Sequence, residues 1–175
     1  MDDGGAIELE TWYRRVHPRL LGSLAALSGQ VDVAAEATDE AFARALARWP
    51  RVSAMESPEG WTYRVALNKL RRRMRRSADE QRALDRLGGP GYAEDRPVDA
   101  DVWRAVRARP DRQRTAVVLR YIADLPEAVI AEAMGVRRGT VASNLSDARR
   151  SLARFLADDE RHRAVEPTDP TEVSS

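Results

Sequence analysis

The stretch LGGPGYAEDRP, residues 87–97, limits what this chain can become more than any other. Glycine, proline and acidic residues crowd it, so it suits neither a helix interior nor a strand and reads as a linker. It divides the 175 residues into two parts, each with room for only a thin core. Hydrophobic residues make up 43% and charged residues 33%, enough for both parts to fold. Two small units are therefore expected, over 8–84 and 99–157, joined by a linker over 85–98.

Within both parts apolar residues recur at helical spacing, and no convincing strand alternation occurs. An all-α fold is expected. In the first helix Leu9, Trp12, Tyr13, Val16, Leu20, Leu24 and Leu27 share a face, with Pro18 expected to kink or divide it. A second helix, from about Asp32 to Arg48, turns Ala37, Ala41, Phe42, Ala45 and Leu46 inward. Its outward face carries Glu36, Asp39, Glu40 and Arg44. WPRVSAME then reads as a loop. Ser57 before Pro58 marks the start of a third helix, because serine caps free amides and proline is tolerated where no amide is needed. That helix is expected to bury Trp61, Val65 and Leu70 and to run into NKLRRRMRR. Beyond the linker, helices are expected at about 99–108, 111–122, 126–134 and 138–156, with a left-handed Gly135 closing the third. Residues 158–175 offer little to bury and are expected to form a disordered acidic tail.

The net charge of +1 hides an uneven distribution. Residues 1–76 hold 13 Lys and Arg against 10 Asp and Glu, and residues 99–157 hold 11 against 7. Residues 77–98 and 158–175 lean the other way, with 3 against 5 and 2 against 6. Two basic blocks thus alternate with an acidic linker and an acidic tail. The absence of cysteine excludes disulfides, thiolate zinc sites and thiol nucleophiles. No run approaches the roughly eighteen apolar residues of a membrane span, and MDDGGAIELE lacks the basic and apolar regions of a secretory signal. A cytoplasmic chain without membrane insertion is expected.

Helix, glycine turn and longer helix around Gly135 make a helix-turn-helix unit. Ile130, Ala131, Val136, Val141 and Leu145 have the spacing that packs two such helices crosswise. Thr140, Ser143, Asn144 and Asp147 form a strip on the opposite face of the second helix, a face that fits the DNA major groove. There Asn144 can pair with an adenine edge and Asp147 can accept from a cytosine amine. Arg137 and Arg138, beside the helix start, can hold phosphates. The plainer reading is a helical hairpin with a solvated face. In NKLRRRMRR, Lys69 is followed by Arg71, Arg72, Arg73, Arg75 and Arg76. Such a run can be a solvated helix end. Trp61 and Tyr63 upstream on the same helix favour stacking with unpaired bases beside phosphate-binding charge.

Taken in order, five stretches resemble a small two-domain sigma factor of the extracytoplasmic-function type: YRRVHPRLL, EATDEAFARALARW, SPEGWTYRVALNKLRRR, RPDRQRTAVVLRYIADL and AVIAEAMGVRRGTVASNLSDARRSL. The resemblance spans nearly all of residues 9–156. It implies that Glu36, Asp39, Glu40 and Arg44 dock on core RNA polymerase. It implies that Trp49, Trp61, Tyr63, Arg64, Asn68, Lys69 and the arginine run capture and melt the downstream part of promoter DNA. The helix-turn-helix, through Arg137, Arg138, Thr140, Ser143, Asn144 and Asp147, would read the upstream part. An anti-sigma factor is a further partner it allows, and the nucleoid is the location while polymerase is bound. This sequence departs from the family in carrying Ala142, Asn144 and Asp147 where Lys or Arg is common, and Pro126 where Ser is usual.

No Gly-rich phosphate loop, Ser–His constellation or metal-ligand spacing is present, and His17 and His162 lie far apart in sequence. Neither an enzyme nor a cofactor is expected. The alternative from another class is a stand-alone helix-turn-helix regulator, or a protein-binding adaptor, without polymerase docking.

Overall fold

The computed structural model describes residues 3–86 and 100–165, and all the regular structure among them is helical. The N-terminal unit comprises α1 (Asp3–Ser28), α2 (Val31–Leu46), the single turn α3 (Trp49–Val52) and α4 (Pro58–Arg86). The C-terminal unit comprises α5 (Ala100–Arg107), α6 (Asp111–Tyr121), α7 (Glu127–Met134) and α8 (Arg138–Val165). Of the expected linker, residues 87–98 lie outside the described residues.

In the N-terminal unit α1 and α4 both pack on α2 and on each other. Trp12, Val16, Leu20, Leu24 and Leu27 bury the expected stripe of α1 against Val33, Ala34, Ala37, Ala41, Phe42 and Ala45 of α2. Two expected core residues sit outside it, Tyr13 at 39% exposure and Leu46 at 46%. Pro18 does not divide α1, which stays helical across it. Val16 and Leu20, both fully buried on either side of the proline, tie the two halves to the same core. Arg14, whose carbonyl faces the missing amide, lies on the exposed side where water can satisfy it. Gly29, at φ 74°, ends α1 in the left-handed conformation that glycine adopts without strain.

The expected loop after α2 contains one helical turn. Pro50 occupies its first turn, where no amide hydrogen is needed, and Ser53 N–H closes onto the Trp49 carbonyl at 2.8 Å. As expected, Ser57 caps α4, its Oγ accepting from Gly60 N–H at 3.0 Å. The buried register of α4 differs from expectation: Tyr63, Ala66, Leu67 and Leu70 are buried, while Trp61 and Val65 are only half-buried. The i, i+3, i+4, i+7 set starting at residue 63 faces the other helices, so the tryptophan falls at the rim.

In the C-terminal unit Gly135 takes φ 66°, and Val136 N–H returns to the Ala131 carbonyl at 3.0 Å. Ile130, Ala131, Val141 and Leu145 are buried between α7 and α8 as expected, with Ala148 beside them, whereas Val136 is only half-buried at the turn. Pro126 precedes α7 as its cap position rather than forming its first residue. The expected disorder from Asp158 onward is partly overturned, since α8 runs on to Val165. Ala, Glu and Arg there are good helix formers and no glycine or proline interrupts them. Residues 166–175 lie outside the described residues. The two units touch, α7 lying along α4 and α6 against α1.

Candidate nucleic-acid interface and docking face

The second helix of the helix-turn-helix begins directly after Gly135, which leaves Arg137 and Arg138 exposed at its start. Val141, Leu145 and Ala148 hold one face inward, so Ser143 is turned out and Thr140, Asn144 and Asp147 stand half-exposed beside it. The strip is therefore on one accessible face. Its polar groups are already engaged locally: Asn144 Nδ2 donates to the Thr140 carbonyl at 2.8 Å, and Asp147 accepts from Arg150 at 2.8 Å. Arg150, itself exposed, partly offsets a carboxylate that would otherwise repel phosphate.

On α4 the cationic face divides into three parts. Arg72, Arg75 and Arg76 are exposed and line an open cleft with Asp79 and Glu80. Arg73 donates to Ser77 Oγ at 2.9 Å, and Arg71 lies 3.7 Å from Asp111 of the C-terminal unit. Arg64 is held most firmly. Its Nε donates to the Glu132 backbone carbonyl at 2.8 Å and its Nη2 to the Glu132 carboxylate at 3.0 Å. With both side chains about 40% exposed (41% and 42%), this pair contributes only about 0–1 kcal/mol. One turn before it, Gly60 is buried where α7 comes closest. A Cβ there would lie 2.7 Å from Glu132 Cγ and 2.9 Å from Glu132 Cβ.

The polar face of α2 is accessible, and its charges are paired within the helix and with its neighbours. Arg44 grips Glu40 Oε1 at 2.7 Å, and His17 Nε2 lies 4.0 Å from Asp39. Glu36 accepts from Lys69 Nζ at 2.9 Å. That hydrogen bond and charge, with Arg73 and Arg76 nearby, hold the Glu36 carboxyl below its usual range. An expected docking residue is thus tied to an expected DNA contact. Asn68 is exposed between these faces.

The aromatic residues are placed differently from the expected stacking platform. Trp49 is half-buried against Trp12, ring centroids 4.8 Å apart, and Trp61 is half-buried on the core. Tyr63 is fully buried, on the inner side of α4, and is a core residue in this conformation rather than a surface for bases. Among the described residues its hydroxyl lacks a hydrogen-bond partner, and the neighbouring Ser23 gives its own proton to the Arg19 carbonyl. Burial pushes its phenol pKa up. Tyr63→Phe is accordingly expected to be neutral or to stabilise the chain by up to about 1–3 kcal/mol in urea unfolding. A clear loss of stability would show instead that the hydroxyl is bonded.

Sequence reasoning did not single out Gly60, Asp111 or Glu132. Each acts across the contact between units, and the 68 residues separating Arg64 from Glu132 leave no local signal.

Two family models match the chain, Sigma-70 region 2 over residues 12–80 and Sigma-70 region 4 over residues 100–152. The chain is also similar to an uncharacterized protein of Rhizobium meliloti (strain 1021), with 29% identity over 174 residues. That match covers 87% of this chain and 39% of the relative, so the chain spans about two fifths of the length of the curated protein it matches. Among solved structures, the fold is similar to the sigma factor RpoE in complex with the anti-sigma factor NepR from Bartonella quintana. The TM-score is 0.68 at 22% identity, covering 86% of this chain and 97% of that one.

Proposed function

This chain belongs to the sigma-70 family, with regions 2 and 4 in the two-domain layout of the extracytoplasmic-function type, and on that premise we propose that it directs core RNA polymerase to promoters and helps open them. The observation that carries the reading is the presence, on one chain, of an accessible polar α2 face, a cationic α4 and an exposed helix-turn-helix strip. Each suits one task. Glu36, Asp39, Glu40 and Arg44 offer polymerase a charged docking surface. Arg72, Arg75 and Arg76 offer phosphate contacts along a melted strand, with Arg64, Asn68 and Lys69 closer to the bases. Arg137, Arg138 and the strip from Thr140 to Asp147 present the upstream contact. Trp49 and Trp61 sit half-buried at the rim of the core.

The chemistry of RNA synthesis belongs to the polymerase, and the chain contributes address and strand separation. The reading places it in the cytoplasm, and at the nucleoid while polymerase-bound. No helix among the described residues is long and apolar enough to cross a membrane. An anti-sigma factor is a partner of the structural relative, and the same class of regulator fits this chain. The deciding experiment mixes the purified chain with sigma-free core polymerase and promoter templates. A stable complex and promoter-dependent transcripts are expected. DNA binding without either would move the chain to the stand-alone regulator reading.

Asp147 tests the upstream contact. Asp147→Arg removes a carboxylate, adds a cation and frees Arg150 from its 2.8 Å partner. Duplex binding should tighten at every sequence, with a salt slope steeper by roughly 1–2 units. An unchanged slope would make the strip a protein-docking surface.

A further inference from the structure

We propose that the exposed strip of α8 reads amine-bearing bases, an adenine or cytosine opposite Asn144 and a second opposite Asp147, and refuses guanine at both positions. The inference deepens the upstream contact and rests on the promoter reading above. It starts from the atoms that the strip leaves free. A backbone carbonyl can only accept, so the Asn144 atom facing the Thr140 carbonyl at 2.8 Å is the amide nitrogen. The side-chain oxygen is the end that no group among the described residues engages. Asp147 is 45% exposed, and one of its oxygens is held by Arg150 at 2.8 Å, which leaves the other open. Thr140 and Ser143 carry hydroxyls, which serve in either sense, and the exposed Ala142 offers only a methyl group. The strip itself includes no cation. Arg137 and Arg138 stand ahead of it at the helix start, and Arg150 follows it, turned onto Asp147.

An acceptor needs a donor opposite. In the major groove adenine and cytosine each present an exocyclic amine, whereas guanine presents two acceptors and thymine one beside its methyl group. The Asn144 oxygen and the open Asp147 oxygen therefore suit the amines. Against guanine each meets lone pairs with no proton between, and at Asp147 the repulsion is that of a carboxylate charge. Specificity of this kind works by exclusion as well as by attraction. Three residues advance about 4.5 Å along a helix, close to the roughly 3.4 Å step of a duplex. The two acceptors thus address neighbouring base pairs. Orientation matters too, because C·G and G·C at one step place the amine on opposite strands, and only one of them meets the acceptor.

The test selects duplexes from a randomised pool with the full chain at low salt, then exchanges single groups on the bases found. Two adjacent positions should fill with adenine or cytosine and be depleted of guanine. Replacing the base opposite Asn144 by its amine-free analogue, purine for adenine or 2-pyrimidinone for cytosine, should weaken binding roughly tenfold. Asn144→Ala should bind about as weakly and be indifferent to that exchange, which separates the contact from any softening of the duplex. Where adenine is selected, 7-deazaadenine, which lacks the ring acceptor but keeps the amine, should bind like adenine. Asp147→Asn, of the same shape but neutral and able to donate, should tighten binding to every duplex. The gain should be largest where guanine stands, so that its rejection disappears. Guanine enriched at either position, or a pool without preference, overturns the proposal. So does an amine-free analogue bound as tightly as its parent, a penalty for 7-deazaadenine as large as that for the lost amine, or an Asp147→Asn variant that still rejects guanine. Failure of the promoter reading appears elsewhere, as wild-type chain that neither joins core polymerase nor supports transcripts.

Discussion

Glutamine in place of Arg72, Arg75 and Arg76 is expected to weaken promoter complexes at every sequence and to flatten their salt dependence by about 2–3 units of slope. Each lost phosphate contact removes about 0.7 units on a single strand and 0.9 on a duplex. All three are exposed. Arg73 is spent on Ser77, and Arg71 faces Asp111. Replacing those two should therefore change the slope less, and Arg71→Gln should act mainly on the contact between units. The measurement is affinity for forked promoter DNA across a salt series, with polymerase present. A slope that does not move would return the arginines to a solvated helix end.

A second large effect is expected from Leu145→Ala. Leu145 is 1% exposed and stands between α7 and α8 with Ile130 and Val141. Truncation leaves a cavity and costs about 2–5 kcal/mol. A helical unit of roughly 60 residues has only about 3–9 kcal/mol to lose. Most copies of the C-terminal unit should unfold on mild warming, and upstream DNA binding should vanish with it. Ser146→Ala, one position along on the exposed side, should stay within about 0.5 kcal/mol of wild type. Equal stability of the two variants in urea titration would show that α8 does not pack through this face.

The helices were legible because each depends on spacing within a few residues. Ser57, Pro58 and Gly135 announce their roles through backbone chemistry alone, and the buried stripes of α1 and α2 follow from leucine and alanine periodicity. Tyr63 shows where such reasoning fails. Two apolar stripes overlap on α4, one through Trp61 and Val65 and one through Tyr63 and Leu70, and only the position of α2 decides between them. Leu46 and Tyr13 failed in the same way, at the edges of stripes whose width depends on the neighbour. Trp49 reads as loop in the sequence because one helical turn is too short to show a period. Of the site, the charged residues on α2, α4 and α8 were visible as clusters. Their pairing was not, because Glu36 with Lys69 and Arg64 with Glu132 depend on how the helices meet.

The clasp between Arg64 and Glu132 also sets an order of events during synthesis. Sixty-eight residues separate its halves. At about 5–20 residues per second, a ribosome makes Glu132 roughly 3–14 s after Arg64. Helical units of this kind fold in microseconds to milliseconds. The N-terminal unit therefore finishes folding with its α4 face bare and waits seconds for its cover to be translated. For that interval every nascent chain is an open one. A partner able to seize the bare face could do so on the ribosome, before the chain has had any chance to close.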